Sequence, residues 1–202
     1  MQKKERLGFN IVLLGQIAAG KETQAALLME KYALHPVESG KYWRTMMKAK
    51  TKEGEWLRRT TAKGLPAPVS LMKKFLVERI NKKPKNKDLL FIGNPRLKPE
   101  AQLLKKLLAA KKQDFFALYI SLPDKEIYNR SLKRKEGAGK AIYKVLDEKH
   151  LIAARIKWHK DQVGKTVAYF DSLGKLKKIN GKQSIEKVAA DIEKAIAQAR
   201  KA

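Results

Sequence analysis

The sequence predicts an α/β fold, a three-layer α/β/α arrangement in which a five-stranded parallel sheet lies between two layers of helices. Three observations carry that expectation. Short apolar, β-branched runs alternate with longer helical patterns along the whole chain, the order from which parallel strands and crossover helices are built. Most of these runs are apolar at consecutive residues, as strands covered on both faces are. The first of them, Phe9-Asn10-Ile11-Val12-Leu13-Leu14, leads straight into Gly15-Gln16-Ile17-Ala18-Ala19-Gly20-Lys21-Glu22-Thr23 and then into a helical pattern.

Taken in order, the first strand is expected at Asn10–Leu14, and the run from Lys21 to Tyr32, rich in Ala and Leu, forms the first helix. A short strand at Pro36–Glu38 precedes helices at Lys41–Lys50 and Trp56–Ala62. The irregular segment Lys63-Gly64-Leu65-Pro66-Ala67-Pro68 separates these from a helix at Val69–Asn81. After the basic run Lys82 to Lys87 come a strand at Leu89–Ile92 and a helix at Pro99–Ala110. A strand at Phe115–Ser121 and a helix at Lys125–Lys135 follow. Gly137-Ala138-Gly139 then breaks a charged stretch and predicts a mobile loop before the long helix Leu146–Asp171. A last strand, Leu176–Ile179, and a last helix, Ser184–Ala199, complete the set.

At 202 residues the chain suits one domain, and a hydrophobic fraction of 44% is sufficient for a sizeable core. With no cysteine there is no disulfide, thiolate metal site or cysteine nucleophile. No apolar run approaches the length of a membrane span, and Met1 to Arg6 does not read as a signal peptide. A cytoplasmic protein is expected, with no membrane partner. The formal net charge of +26 is extreme. It reflects either a general lysine bias or an attraction to nucleic acid. The basic residues are scattered, with few aromatics among them, so no base-stacking platform is indicated.

The segment from Gly15 to Lys21 carries the chemistry. Two glycines four residues apart, followed by lysine, fit a loop that wraps a polyphosphate. Glycine lets backbone approach an anion, and the loop N–H groups and the helix start then face phosphate oxygens. Lys21 adds a mobile point charge. Where P-loops have Ser or Thr after the lysine, this chain has Glu22, with Thr23 one place later.

With these features the chain resembles the adenylate kinases and the wider nucleoside monophosphate kinase family, over nearly its whole length. Gly15 to Thr23 is similar to the family's phosphate loop. Glu38-Ser39-Gly40-Lys41-Tyr42-Trp43-Arg44 is similar to its monophosphate-binding turn, and Gly64 to Pro68 to the loop that packs on the acceptor base. Gly93-Asn94-Pro95-Arg96 falls at its Asp-Gly-Phe-Pro-Arg motif, Asp124 to Arg134 at the helix bearing two arginines, and Asn180-Gly181-Lys182 at the turn beside the donor base. The resemblance implies a P-loop core (8–37, 81–134, 144–202), a helical monophosphate-binding lobe (38–80) and a short lid (135–143). It implies ATP with Mg2+ and a nucleoside monophosphate as substrates, and a monomer.

The resemblance also implies roles. Gly15, Ala18, Ala19, Gly20, Lys21, Glu22, Thr23, Arg130, Arg134 and Lys182 would bind ATP. Ser39, Arg44, Ala67, Gly93, Arg96, Glu100 and Arg155 would bind the monophosphate. Lys21, Arg96, Arg130 and Arg155 would act in transfer, which needs two anions held in line and their repulsion neutralised. Arg130 and Arg134, four residues apart, share a helix face. Ser39 either meets the acceptor base or caps a helix. Glu100 stands where glutamine reads adenine in the family, and as a carboxylate it only accepts. AMP is the expected acceptor.

The departures bear on magnesium. Ile92 replaces the aspartate that orients the ion, and isoleucine offers no oxygen ligand. Glu22 either supplies the missing carboxylate or points to solvent from the first helical turn, where the dipole favours an acid. Lys144 stands for a lid arginine, and Asp147 is a hinge or lid partner. His35, His150 and His159 have neither metal nor triad spacing and read as surface or packing residues. Besides an active kinase, the sequence leaves open a nucleotide-binding pseudokinase and a basic RNA- or ribosome-associated relative.

Overall fold

The computed structural model describes residues 4–60, 67–137 and 147–201. Its strands are β1 (Asn10–Gly15), β2 (Leu34–Val37), β3 (Asp88–Ile92), β4 (Phe115–Ser121) and β5 (Leu176–Asn180). They form one parallel sheet in the order β2-β3-β1-β4-β5. Eight helices are present among the described residues: α1 (Lys21–Lys31), α2 (Ser39–Lys48), α3 (Lys52–Thr60), α4 (Val69–Asn81), α5 (Lys98–Ala109), α6 (Asp124–Glu136), α7 (Lys149–Ser172) and α8 (Ile185–Ala199). None is long and apolar enough to cross a membrane.

The central strands bury both faces, so successive residues feed two separate cores. Val12, Leu14, Phe91, Phe115 and Ala117 point to one side, where they meet Phe75 and Leu76 of α4, Leu104 and Leu108 of α5 and Phe170 of α7. Ile11, Leu13, Leu90, Leu118 and Ile120 point to the other and meet Ala25 and Leu28 of α1, Ile127 of α6 and Ile192 and Ile196 of α8. Trp43 and Leu57, from α2 and α3, join the first core. These two cores are the physical content of the three-layer fold.

The outer strands depart from the apolar pattern. In β2, Pro36 is exposed, and in β5, Lys177 and Lys178 are exposed. Both strands lie at sheet edges, where a missing N–H is tolerated and lysine discourages a further strand from adding. Three helix starts differ from expectation by two residues or more: α7 begins at Lys149 and not at Leu146, and α3 and α2 begin early. Helix α3 begins four residues before Trp56, with Gly54 N–H donating to Thr51 Oγ1 at 3.1 Å. At Gly54 a Cβ would come within 2.6 Å of the Met46 and Ala49 carbonyls, so glycine is what the close approach of α2 requires. Helix α2 begins at Ser39 and not near Lys41, which moves the N-cap position to Glu38 and leaves Ser39 buried in the first turn.

Because every strand is parallel, all five C-terminal ends open on one edge of the sheet. The loops leaving β1, β3, β4 and β5 all start there, at the position where ligands of open α/β sheets bind.

Candidate active site

The loop after β1 is shaped by its packing. At Gly15 a Cβ would lie 2.9 Å from the Ile120 carbonyl, so only glycine lets β1 run this close to β4. Ala18 and Gly20 both take left-handed backbone conformations, φ 55° and 80°, the second directly capping α1. Alternation of this kind turns successive N–H groups inward and favours an anion. Ala19 is buried beneath the loop, whereas Glu22 and Thr23 are exposed in the first turn of α1. Gln24 is buried and donates to the Ile185 carbonyl at 2.9 Å, tying α1 to the start of α8.

Lys21 folds back over this loop. Its Nζ donates to the carbonyls of Gly15, at 2.8 Å, and Gln16, at 2.6 Å. Its pKa is lowered to about 7, first by burial and then by the positive fields of Arg96, Arg134 and Arg155, against a partial offset from Glu22. Charges on four different elements are therefore felt at one ammonium group. Gly93, φ 66°, lies beside the same side chain: a Cβ there would meet Lys21 Cε at 3.7 Å.

Each of those arginines is held. Arg96 follows β3, where its Nε donates to the Gly93 carbonyl at 3.0 Å and its own carbonyl accepts from Thr166 Oγ1 of α7 at 2.9 Å. The turn is fixed further by buried Asn94, whose Nδ2 donates to the Val37 and Ile92 carbonyls. Asp147 is fully buried and takes a two-point contact from Arg134, at 2.7 and 2.9 Å, and a third bond from Arg155 Nη1 at 2.8 Å. One carboxylate thus offsets the repulsion between two arginines on separate helices.

Glu100 is buried at the third residue of α5, where one carboxylate oxygen accepts from the Arg96 N–H at 2.8 Å and the Leu97 N–H at 3.2 Å. Burial raises its pKa and these backbone donors oppose the shift. It is a helix cap, and at least one oxygen is engaged by backbone. Arg130 lies a turn before Arg134, donating to Glu126 at 2.6 Å and to the Gly181 carbonyl at 3.1 Å. It ties α6 to the turn after β5. In that turn, Lys182 N–H donates to Asn180 Oδ1 at 3.0 Å and its side chain is exposed. Arg44 is exposed on α2, with its guanidinium beside Gly40. Ala67 is buried just before α4. Gly64 to Pro66, and Lys144 with most of the expected lid, lie outside the described residues.

His159 is a packing residue, one of the two readings the sequence allows, and it packs at the glycine loop. Its Nε2 lies 3.0 Å from the Gly15 carbonyl. Burial, together with Lys21 and Arg96, depresses its pKa to about 3, so the ring is neutral at physiological pH. The available signal was spacing: His159 follows Arg155 by four residues on one helix, and so shares its face.

A parallel α/β/α sheet with a glycine loop after β1 and cationic side chains gathered at the strand ends defines a phosphotransferase of the P-loop class. The particular family follows from comparison. The family model described as "Adenylate kinase" matches residues 13–175. An adenylate kinase of Azobacteroides pseudotrichonymphae is 32% identical over 91% of this chain and 94% of its own length. One from Bacteroides fragilis is 29% identical over 93% and 97%, respectively, and one from Methanothrix thermoacetophila 26% over 94% and 99%. The chain belongs to the adenylate kinase family and is a nucleoside monophosphate kinase by that membership.

Proposed function

We propose that this protein transfers the γ-phosphoryl group of ATP reversibly to AMP, forming two ADP. The observation that carries the reading is the convergence on Lys21 of positive fields from Arg96, Arg134 and Arg155. A free protein has no reason to crowd four cations, and a pair of phosphate chains neutralises them. Lys21 would leave its loop carbonyls for the donor phosphates. Arg96 and Arg155 would hold the acceptor phosphate, with Arg44 reaching it from α2, and Arg130 and Arg134 would clamp the donor chain. Each guanidinium offers a planar fork to phosphate oxygens. Residues 38–80 would form the monophosphate-binding lobe and 135–143 the lid. Their closure would exclude water and suppress ATP hydrolysis.

Adenylate kinases in general use ATP with Mg2+, and this chain's donor set is compatible with the ion. Ile92 at the end of β3 offers no ligand, but Glu22 is an exposed carboxylate near enough to Lys21 to be felt there. One carboxylate together with phosphate oxygens and water is an ordinary magnesium environment. When bound, the ion would neutralise charge on the donor phosphates. Glu22→Gln should weaken the magnesium dependence of turnover; an unchanged magnesium titration would exclude Glu22 as the compensating ligand.

The test of the main reading is a coupled assay for ADP formation with ATP, Mg2+ and each nucleoside monophosphate in turn. ADP formation fastest with AMP is expected. ATP binding without turnover on any acceptor would overturn it.

A further inference from the structure

We propose that His159 is a positioning residue that lets Lys21 leave the glycine loop for the donor phosphates, by keeping the Gly15 carbonyl hydrogen-bonded after the lysine has gone. The inference rests on the phosphate-site reading above and adds a residue to it.

The geometry is that of a shared acceptor. The Gly15 carbonyl receives Lys21 Nζ at 2.8 Å and lies 3.0 Å from His159 Nε2. A carbonyl can only accept, so Nε2 carries the proton and donates. The Gln16 carbonyl is shared in the same way, between Lys21 Nζ at 2.6 Å and the Ala19 N–H at 3.3 Å. Each carbonyl that the lysine occupies therefore has a second donor in place. When Lys21 turns to an anion, neither oxygen loses its last donor among these contacts. Without His159, the Gly15 oxygen would lose both, in a part of the loop packed against Ile120. Leaving a buried acceptor unpaired opposes the movement.

The choice of imidazole also follows. The ring is neutral, whereas lysine or arginine here would add a charge beside Lys21, Arg96 and Arg155 and would itself compete for phosphate. Its other nitrogen, Nδ1, is buried and has no hydrogen-bond partner among the described residues. The ring is therefore positioned by its single bond to Gly15 and by packing. A role limited to holding α7 against β1 would affect every ligand alike. The hand-over affects the donor nucleotide selectively, because only that ligand calls Lys21 away.

The experiment is calorimetric titration of the full chain with ATP-Mg and, separately, with AMP, for the wild type and for His159→Gln, His159→Asn and His159→Leu. Glutamine carries an N–H donor at nearly the reach of Nε2, asparagine is too short, and leucine has none. The expected result is that Asn and Leu weaken ATP about tenfold, Gln restores affinity to near the wild-type value, and AMP affinity stays within about twofold throughout. Equal ATP affinity in all four proteins, equal weakening of ATP and AMP, or failure of Gln to restore would overturn the hand-over. The Asn and Gln pair keeps the test valid if leucine impairs folding. A wild type that binds ATP but shows no difference among variants refutes only this inference. A wild type that binds no ATP removes the phosphate site, and the inference with it.

Discussion

The two edges of the sheet treat polar groups in opposite ways. At the edge where strands begin, the buried polar groups Asp88 and Asn10 have local partners. Buried Asp88 accepts from Arg6 at 2.6 Å and from the N–H groups of Leu7 and Gly8 at 2.9 and 3.1 Å. Asn10 receives the Leu89 N–H at 2.8 Å and donates to Gln113 and to the Asp114 carbonyl. At the edge where strands end, the positive fields of Arg96, Arg134 and Arg155 meet at Lys21, and buried Asp147 is shared between two of these arginines. The first edge is complete as it stands and serves the fold. The second is electrostatically unfinished, which is how a site for a polyanion looks before the polyanion arrives.

The contrast is broken most directly at Lys21. Lys21→Met should lower kcat/KM about a thousandfold while leaving the melting temperature unchanged or higher. The reason for the second half is linkage. A lysine whose folded pKa is lowered to about 7 binds fewer protons folded than unfolded between that pH and its ordinary value, so its charging opposes folding most fully below pH 7. Removing it relieves that opposition. A variant that loses activity because it has melted would contradict the division between the edges.

Asp147 is where the unfinished edge is held together. Asp147→Asn keeps the shape and removes the charge that Arg134 and Arg155 share. Breaking a buried ion pair by removing one partner destabilises by about 3–5 kcal/mol, and the low end applies here, since both arginines are partly exposed. Chemical denaturation measures this directly. Added triphosphate should recover part of the loss by supplying the missing negative charge. The matching substitution at the finished edge, Asp88→Ala, strands two backbone N–H groups and should cost about 2 kcal/mol of stability with nucleotide affinities unchanged. If Asp88→Ala altered ATP affinity, the two edges would be coupled.

What the sequence disclosed follows the same division. The places of the glycine loop after β1, of Arg96 after β3 and of Arg130 and Arg134 on α6 were legible because each is a local pattern beside a strand end. Strand β4 and helix α4 were legible to the residue because their apolar periods are unbroken. The contact of His159 was not legible, since it is set by how α7 crosses the sheet edge, over 100 residues from Gly15, whereas Asp147 stood out as a hinge or lid partner without its two arginine contacts being visible in the sequence. Glu100 stands at the motif position that the resemblance assigns to the acceptor base. Its capping of α5 became visible only when the helix proved to begin at Lys98. The edge strands were the least apolar because burial there depends on sheet order, which no local pattern encodes.

The smallest expected effect is also the most specific to the unfinished edge. In the free protein Lys21 titrates near pH 7; beside a triphosphate its ammonium form is favoured and its pKa rises. Below pH 7 the lysine is already charged, so ATP binds without proton uptake at this residue. Above pH 7, binding must draw a proton from solvent, and ATP affinity should fall by up to about tenfold per pH unit until the bound-state pKa is reached. Titrations between pH 7.5 and 9, in two buffers of different ionisation enthalpy, would count that proton. This range avoids the last ionisation of the nucleotide itself. In Lys21→Arg the side chain stays charged throughout, so the pH dependence and the proton uptake should both disappear even if affinity is retained. A wild type with flat affinity across this range would show that Lys21 is no more crowded than a surface lysine, and the difference between the two edges would then be one of composition and not of function.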